Sequence, residues 1–262
     1  MDQILASSYV EDGKRVELFE IMDTEVPTFK ITVPDEKFEE LKLAMQTPPP
    51  TVSVFKGDEE VSDTEEVDND NVYGVYEYEG IKNATMVVEI NGTEKYFNEV
   101  VFDIGGSSAR LYGRQSFNLI IRDKNKDLYG RSQFRIHPDA RDATLLRSKF
   151  SCNMLNRIGI ISFSANYIIL YVNEEYFGFY VLMDAPKIPW VEQVFGEKDT
   201  KNLYKCKEIR AYLTSQCVNE NKEITDNTEW NKFVMDLEKA QTVEEIEKII
   251  DIDQFLYLAV FD

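Results

Sequence analysis

Three successive stretches decide the fold of this chain: DIGGSSARLYGRQSFNLII (103–121), FRIHPDARDATLLRSKFSCNMLNRIG (134–159) and SANYIILYVNEEYFGFYVLMD (164–184). The third stretch alternates β-branched and aromatic residues on both sides of a short polar turn at 173–175, which is typical of two paired strands. Together the three stretches predict the order strand, glycine and serine turn, strand, hairpin turn, strand, helix and hairpin.

The second stretch contains the predicted helix. Asp142 can cap its start, and Gly159 stands where a C-terminal stop is expected. Apolar residues recur between these two positions at near four-residue spacing, which is the helical period. They are Leu146, Phe150, Met154 and Ile158. We therefore expect an α+β fold with a predominantly antiparallel sheet, a helix packed against it and a helical C-terminal part.

More strands are predicted before residue 103. Residues 28–33 read as a strand, and a brief helix starts at residue 35 and ends before the three prolines at 48–50. Strands at 86–90 and 96–102 flank Asn91-Gly92, a dipeptide that suits a tight hairpin because both central positions need a positive φ.

Helices are predicted after the sheet. An amphipathic turn of helix at 189–195 ends at Gly196, and a longer helix begins at Thr228. Thr242 and Glu245 form a capping box for the next helix. A last, apolar helix starts near Asp253 and is still apolar where the sequence stops.

Three regions are expected from these patterns: a sheet-containing portion at 1–206, a polar connector at 207–227, and the start of a helical portion at 228–262. Within the first region, residues 57–71 include eight acids and only two apolar residues. Such a segment buries too little apolar surface to order itself, so we predict a mobile loop. A Ca²⁺ site at 68–70 is the alternative, but it lacks the turn glycine of a compact cation loop.

The net charge of the chain limits the kinds of molecule that it can bind. The formal net charge is -19, and the sequence pI is about 4.5. Nucleic acid and anionic membranes would be repelled, whereas a cationic polypeptide would be attracted. An acidic surface, however, more often serves solubility alone. No apolar run approaches the ~20 residues of a membrane span.

Six pieces of sequence, in order, resemble the CotH family, the spore-coat-protein kinases and their eukaryotic relatives, including the expanded set in anaerobic gut fungi. The pieces span roughly half of the chain. They are Gly105-Gly106-Ser107-Ser108; Arg114-Gln115-Ser116-Phe117-Asn118-Leu119; Asp127-Leu128-Tyr129-Gly130 with Phe134-Arg135; Asp142-Ala143-Thr144-Leu145-Leu146-Arg147-Ser148-Lys149; Leu170-Tyr171-Val172-Asn173-Glu174-Glu175-Tyr176-Phe177-Gly178-Phe179-Tyr180; and Asn202-Leu203-Tyr204-Lys205.

The resemblance implies an atypical protein kinase that transfers the γ-phosphate of ATP to Ser or Thr of a protein, with Mg²⁺ or Mn²⁺. In the family, the catalytic and metal-binding aspartates follow a helix like the one predicted at 253–262, and no residue here matches those motifs. If the 262 residues are the whole protein, the resemblance implies a kinase-like fold without the complete catalytic machinery, and no metal ligand is assigned.

Four residues are expected at a nucleotide site. Arg114 is the phosphate-binding cation implied by the resemblance, because Gln115 stands where the family has a second basic residue. Arg147 and Lys205 are further candidates for an anion site, although either can instead pair with a carboxylate. Asp184 stands where many relatives have glutamate, and it is expected either to orient a basic side chain or to cap the turn that follows.

Three weaker signals concern localisation. The N-terminus lacks a secretory signal, yet Asn83 and Asn91 begin N-glycosylation patterns. Cys206 and Cys217 bracket a segment that a disulfide would close, while Cys152 reads as a buried thiol. Together with the resemblance, these signals predict a secreted protein whose signal peptide is absent from this chain.

Two other functions stay open. The chain can be a non-catalytic interaction module that holds a partner in a surface or enzyme assembly. Carbohydrate binding through exposed aromatics among its 14 tyrosines is a third possibility.

Overall fold

A computed structural model of the chain describes residues 15–46, 79–105, 113–206, 217–253 and 255. The strands are β1 (Thr28–Thr32), β2 (Ile81–Ile90), β3 (Thr93–Gly105), β4 (Ser116–Ile121), β5 (Gln133–His137), β6 (Ala165–Val172), β7 (Glu175–Asp184), β8 (Tyr204–Cys206) and β9 (Cys217–Asn219). The helices are α1 (Glu17–Ile21), α2 (Asp35–Gln46), α3 (Arg147–Arg157), α4 (Ile188–Phe195), α5 (Thr228–Lys239) and α6 (Val243–Ile246).

Strands β1 to β7 form a closed barrel in the order β1-β2-β3-β4-β5-β7-β6. The expected antiparallel sheet is therefore corrected to a barrel. Closure depends on β1, which pairs antiparallel with β2 and parallel with β6. A barrel leaves no unpaired strand edge, whereas an open sheet would expose two of them. The sequence pattern identified strands but could not show that the first one pairs with the sixth.

The core fills the barrel interior. Inward-facing side chains alternate with outward-facing ones along each strand, as the two-residue period of a strand requires. Four fully buried phenylalanines from four strands meet inside: Phe29, Phe102, Phe117 and Phe134. The rings of Phe102 and Phe117 stack with their centroids 4.7 Å apart.

Two tight turns match their predicted residues. Asn91 and Gly92 have φ values of 53° and 66° and join β2 to β3. Asn173 and Glu174, with φ values of 47° and 67°, join β6 to β7, so the turn is one residue shorter than expected. Both turns have the two positive φ values that match the twist of the paired strands.

Helices α1 and α2 close the two ends of the barrel. At the end where β4 begins, Phe38 of α2 stacks on Phe177, and the Gln115 amide donates to the Met45 carbonyl over 3.0 Å. At the opposite end, Leu18 of α1 is fully buried.

Helix α3 lies outside the barrel, against β6 and β7. Cys152 packs with Ala165 and Val181 there, and Leu155 is also buried. The helix is confirmed, but three of the four apolar residues used to predict it do not face the barrel. Leu146, Phe150 and Ile158 are 58%, 63% and 48% exposed, whereas Met154 is half-buried. Cys152 and Leu155 form the buried face instead.

The C-terminal part contains β8, β9 and two helices. Trp230 of α5 packs on Tyr204 of β8, with the ring centroids 5.0 Å apart. The capping box of Thr242 and Glu245 is confirmed at the start of α6. The acidic segment 57–71, the glycine and serine turn after Gly105, and the last predicted helix beyond residue 255 lie outside the described residues. The limits 1–206, 207–227 and 228–262 stay predictions.

The closing strand gives a first prediction. Phe29→Ala removes a fully buried ring from β1, and we expect the free energy of unfolding to fall by about 3–5 kcal/mol in denaturant titrations. Lys30→Ala, one residue along on the outer face of β1, is the matched control and should leave the unfolding midpoint nearly unchanged. Equal effects of the two changes would show that β1 is not part of the cooperative barrel.

Candidate functional site

A polar row lies on the outer wall of the barrel beside α3. The register places Asp103 of β3 opposite Asn118 of β4, and Asn118 opposite Arg135 of β5. Arg135 in turn lies opposite Met183 of β7, which packs in the apolar cluster beneath α3. Strands are spaced by about 4.8 Å, so this row extends about 10 Å across three strands before it reaches the strand that α3 covers.

Two glycines let the side chains of this row lie close to the backbone. A Cβ on Gly105 would be 3.1 Å from the Asn118 amide nitrogen, and a Cβ on Gly80 would be 2.6 Å from the Asp103 carboxyl carbon. Each glycine therefore makes room for one polar side chain of the row. The sequence shows the glycines, but only the register shows which side chains lie over them.

Arg135 is the cation of this row. It is exposed, and its side chain forms no hydrogen bond or ion pair with any other residue that the structure describes. The sequence of β4 and β5 contains no other lysine or arginine. Arg135 was part of the Phe134-Arg135 piece but was not predicted as a site residue. Its alternation with buried Phe134 and Ile136 is the signal that places it on the outer face.

The start of α3 is held by a carboxylate. Asp142 accepts from the backbone N–H groups of Leu146 and Arg147, both over 2.9 Å, and from the Thr144 hydroxyl over 2.6 Å. The hydrogen bond from the Thr144 side chain and that from the Arg147 amide lower the pKa of Asp142 to about 2. Asp142 thus accepts from amides at the helix start, as predicted, although α3 begins at Arg147 with Leu146 at its N-cap and not directly after Asp142. The amides of Leu146 and Arg147 are therefore not open to another anion.

A second carboxylate ties α3 to β5. Asp139 Oδ1 accepts from the Ser148 hydroxyl over 2.7 Å and lies 2.8 Å from His137 Nδ1. Burial opposes the ionisation of Asp139, but the hydrogen bonds of His137 and Ser148 outweigh it and lower its pKa. Asp139 Oδ2 is buried and has no partner among the described residues. This cluster fixes the start of α3 beside the polar row.

Arg114 lies at the end of the barrel where β4 begins. Its Nη2 donates to the Phe179 carbonyl over 2.6 Å, and its Nη1 donates to the Pro138 carbonyl over 3.4 Å. The guanidinium also lies over the ring of Tyr180, 4.9 Å from its centroid. Two of its five N–H donors are thus used by the barrel itself, and it joins the loop before β4 to β7. The predicted phosphate contact of Arg114 stays a prediction.

Arg147 and Lys205 are both exposed. Arg147 is the first residue of α3, whereas Lys205 lies on β8 in the separate two-stranded sheet. Neither side chain pairs with a carboxylate among the described residues. No hydrogen bond or ion pair joins any two of the four predicted site residues.

Asp184 forms a buried ion pair that the sequence did not predict. Its Oδ1 accepts from Arg131 Nε over 2.6 Å, and its Oδ2 accepts from the Ser164 N–H over 2.9 Å. Arg131 also donates to Gln193 of α4. Burial raises the pKa of Asp184, while Arg131 and the Ser164 amide act against that rise. Asp184 thus pairs with a basic side chain, at the end of the barrel opposite Arg114, and its place in a nucleotide site stays a prediction.

Asp23 joins the segment before β1 to α3. Arg15 donates to both of its oxygens, and Oδ1 also accepts from Lys149 of α3 over 2.9 Å and from the Asn166 amide over 2.8 Å. Burial opposes ionisation of Asp23, but these donors outweigh it and lower its pKa. No sequence pattern predicted this cluster, because Lys149 and Asn166 are more than a hundred residues away from Asp23 in the chain.

No group of three or more His, Cys, Asp or Glu side chains with the arrangement of a metal site occurs in the described ranges. Mg²⁺ bound with a nucleotide needs only one or two carboxylates in addition to phosphate oxygens. In the polar row, Asp103 is the side chain with the oxygen ligands that Mg²⁺ prefers.

Cys152, on the buried face of α3, is a free thiol, as predicted. Burial raises its pKa to about 11, and the nearby Asp184 carboxylate acts in the same direction. Cys217 is disulfide-bonded, and the residue opposite it in the β8 and β9 pair is Cys206.

The structure defines a mixed α+β protein in which a closed barrel carries one helix on its outer wall and a helical part follows. A family model described as CotH kinase protein matches residues 102–262, well over half of the chain. The chain therefore belongs to the CotH kinase family, and the predicted resemblance is confirmed. None of the curated proteins compared with the chain matches it significantly. No helix in the described part of the chain is long and apolar enough to cross a membrane.

The buried pair gives a second prediction. Asp184→Ala and Arg131→Ala should each lower the free energy of unfolding by about 3–5 kcal/mol, because each leaves a buried charge without its partner. The double variant should lose less than the sum of the two, since it removes both charges. Urea titrations of the four proteins measure this coupling. Additive losses would mean that the two side chains do not act as a pair.

The cysteines give a third prediction. At pH 8, a thiol of pKa about 11 is roughly one-thousandth ionised, and the thiolate is the reactive form. Ellman's reagent should therefore react very slowly with the native protein and should titrate one thiol in guanidinium. After reduction it should titrate all three cysteines. Prompt labelling of the native protein would contradict the burial of Cys152, and three thiols without reductant would contradict the disulfide.

Proposed function

We propose that this chain carries the ATP-dependent phosphotransfer function of its family, with Ser or Thr of a protein as the acceptor. The observation that carries this proposal is the family match, which runs from the middle of the barrel to the end of the chain. The fold supports it because the match includes the polar row and the helix beside it.

The order of elements also supports the proposal. In protein kinases, a glycine-rich loop covers the nucleotide phosphates, a cation follows on the third strand, and a helix packs beside that strand. Here β3 ends at Gly105, β4 and β5 follow, and α3 comes next along the chain. This likeness concerns only the order of the strands and the helix along the chain. Whether phosphotransfer occurs depends on the residues of the site itself.

ATP with Mg²⁺ or Mn²⁺ is the proposed cofactor pair, and it would supply the phosphoryl group and the charge neutralisation of the transfer. From the resemblance, Arg114, Arg147, Asp184 and Lys205 remain the proposed nucleotide-binding residues. Arg147 and Lys205 are the two of these that are exposed and without an ion pair among the described residues. Asp184 would act only through Arg131 and the backbone that it fixes.

A cationic protein substrate is proposed from the net charge of -19. We also propose that the protein is secreted. The disulfide-bonded Cys217 supports this, since such bonds persist mainly in oxidising compartments. Both glycosylation patterns begin at exposed residues, Asn83 and Asn91, as a modified asparagine requires.

A non-catalytic interaction module is the second proposed function. It is favoured by the exposed apolar face of α3, where Leu146, Phe150 and Ile158 are each about half exposed or more. Exposed large apolar side chains on one helix face are typical of protein contact sites.

The proposal is tested by a thermal-shift titration with ATP, with and without Mg²⁺ or Mn²⁺, followed by transfer from γ-labelled ATP. A ligand that binds only the folded state stabilises it by ~2.7 kcal/mol at a hundredfold excess over its dissociation constant. We expect a metal-dependent rise in melting temperature, and label transfer to a lysine-rich serine peptide in preference to a glutamate-rich one. The same peptides with alanine in place of serine are the controls.

Two outcomes would count against phosphotransfer. If ATP and metal leave a cooperative melting curve unmoved, the chain does not bind nucleotide and the proposal fails. If the melting temperature rises but no label moves to any peptide, nucleotide binding without transfer would favour the interaction module.

A further inference from the structure

We infer that the phosphate groups of a nucleotide bind on the outer wall of the barrel at Arg135, in the row formed with Asn118 and Asp103. This inference rests on the proposed function, and it assigns the phosphate contact to a residue that the resemblance did not indicate. The ligand class is a nucleoside di- or triphosphate with its divalent cation.

Availability of the cation is the first argument. A guanidinium binds phosphate well because its planar set of donors matches two phosphate oxygens. Arg114 directs two of its five N–H groups to the carbonyls of Phe179 and Pro138, and Arg131 is buried against Asp184. Arg135, by contrast, is exposed and makes no hydrogen bond or ion pair within the described part of the chain.

Charge is the second argument. In a chain of net charge -19, an arginine that has no carboxylate partner on its own face is a local positive site that suits an anion. The carboxylate of the same row, Asp103, is two strands away, at a backbone distance of about 10 Å. A phosphate chain with its divalent cation can lie between the two, with phosphate at Arg135 and the cation toward Asp103.

Shape is the third argument. Because Gly80 and Gly105 have no side chain, the side chains of Asp103 and Asn118 lie close to the barrel backbone. On one side, the row meets Met183 and the helix α3, whose start is fixed by Ser148 and Asp139. On the other side, β3 pairs with β2. The row is thus bounded by α3 along one edge.

The test compares the wild-type chain with Arg135→Ala, Arg114→Ala and Lys30→Ala by calorimetric titration with ATP and Mg²⁺, and with adenosine. Lys30 is exposed on β1, on the other side of the barrel, and its removal makes the same change in net charge. We expect Arg135→Ala to weaken ATP binding about ten- to hundredfold, since hydrogen bonds between charged groups are strong. Adenosine, which has no phosphate, should bind all four proteins alike.

Arg135→Lys keeps the charge but not the fork of donors, so it should restore part of the ATP affinity. The melting temperature of each variant without ligand reports whether it folds, and we expect Arg135→Ala to melt like the wild type because its side chain is exposed. If Arg135→Ala instead loses affinity for both ATP and adenosine, the effect is structural, and the assignment is overturned.

The outcomes separate this inference from the proposed function. If the wild-type chain binds ATP and Arg135→Ala binds it as tightly as Lys30→Ala does, the phosphate lies elsewhere and only the inference fails. A selective loss in Arg114→Ala would then place the phosphate at the end of the barrel. If the wild-type chain binds no ATP with Mg²⁺, both the inference and the proposed function fail.

Discussion

The pairing of β1 with both β2 and β6 is the constraint on which the rest of the structure depends. It is the one parallel pair of the barrel, and it joins the strand nearest the N-terminus to a hairpin more than a hundred residues later. Without it, β2 and β6 would each present an unpaired edge, and the phenylalanine core would be open along one side. Everything that lies on the outer wall needs this closed cylinder as its support.

This closure also changes how the family match is understood. The match begins at residue 102, late in β3, so β1, β2 and most of β3 come before it. Those strands nevertheless form part of the same barrel, and Asp23, also outside the match, binds Lys149 of α3. The part of the chain that carries the family signature therefore shares its hydrophobic core and its helix anchoring with residues that do not carry it.

Charged side chains in this protein fall into two groups with different physical roles. Buried ones are paired: Arg131 with Asp184, and Arg15 and Lys149 with Asp23. A buried charge is tolerated only with such partners, so these side chains serve the architecture. Exposed cations such as Arg135 and Arg147 form no such ion pairs among the described residues, so their side chains are open to an external anion. Arg114 is intermediate, because backbone carbonyls accept from two of its five N–H donors.

By itself, the sequence determined the local elements and the family. Hairpin turns at Asn91-Gly92, the Asp142 cap and the capping box at Thr242 follow from short-range chemistry, since each depends on neighbours within a few residues. Only the tertiary structure decided that the sheet closes, that α3 turns most of its apolar series to solvent, and that Asp184 pairs with Arg131. Those outcomes depend on contacts between residues far apart in the chain, and hydrophobic periodicity carries no information about which distant partner a face or a charge will meet.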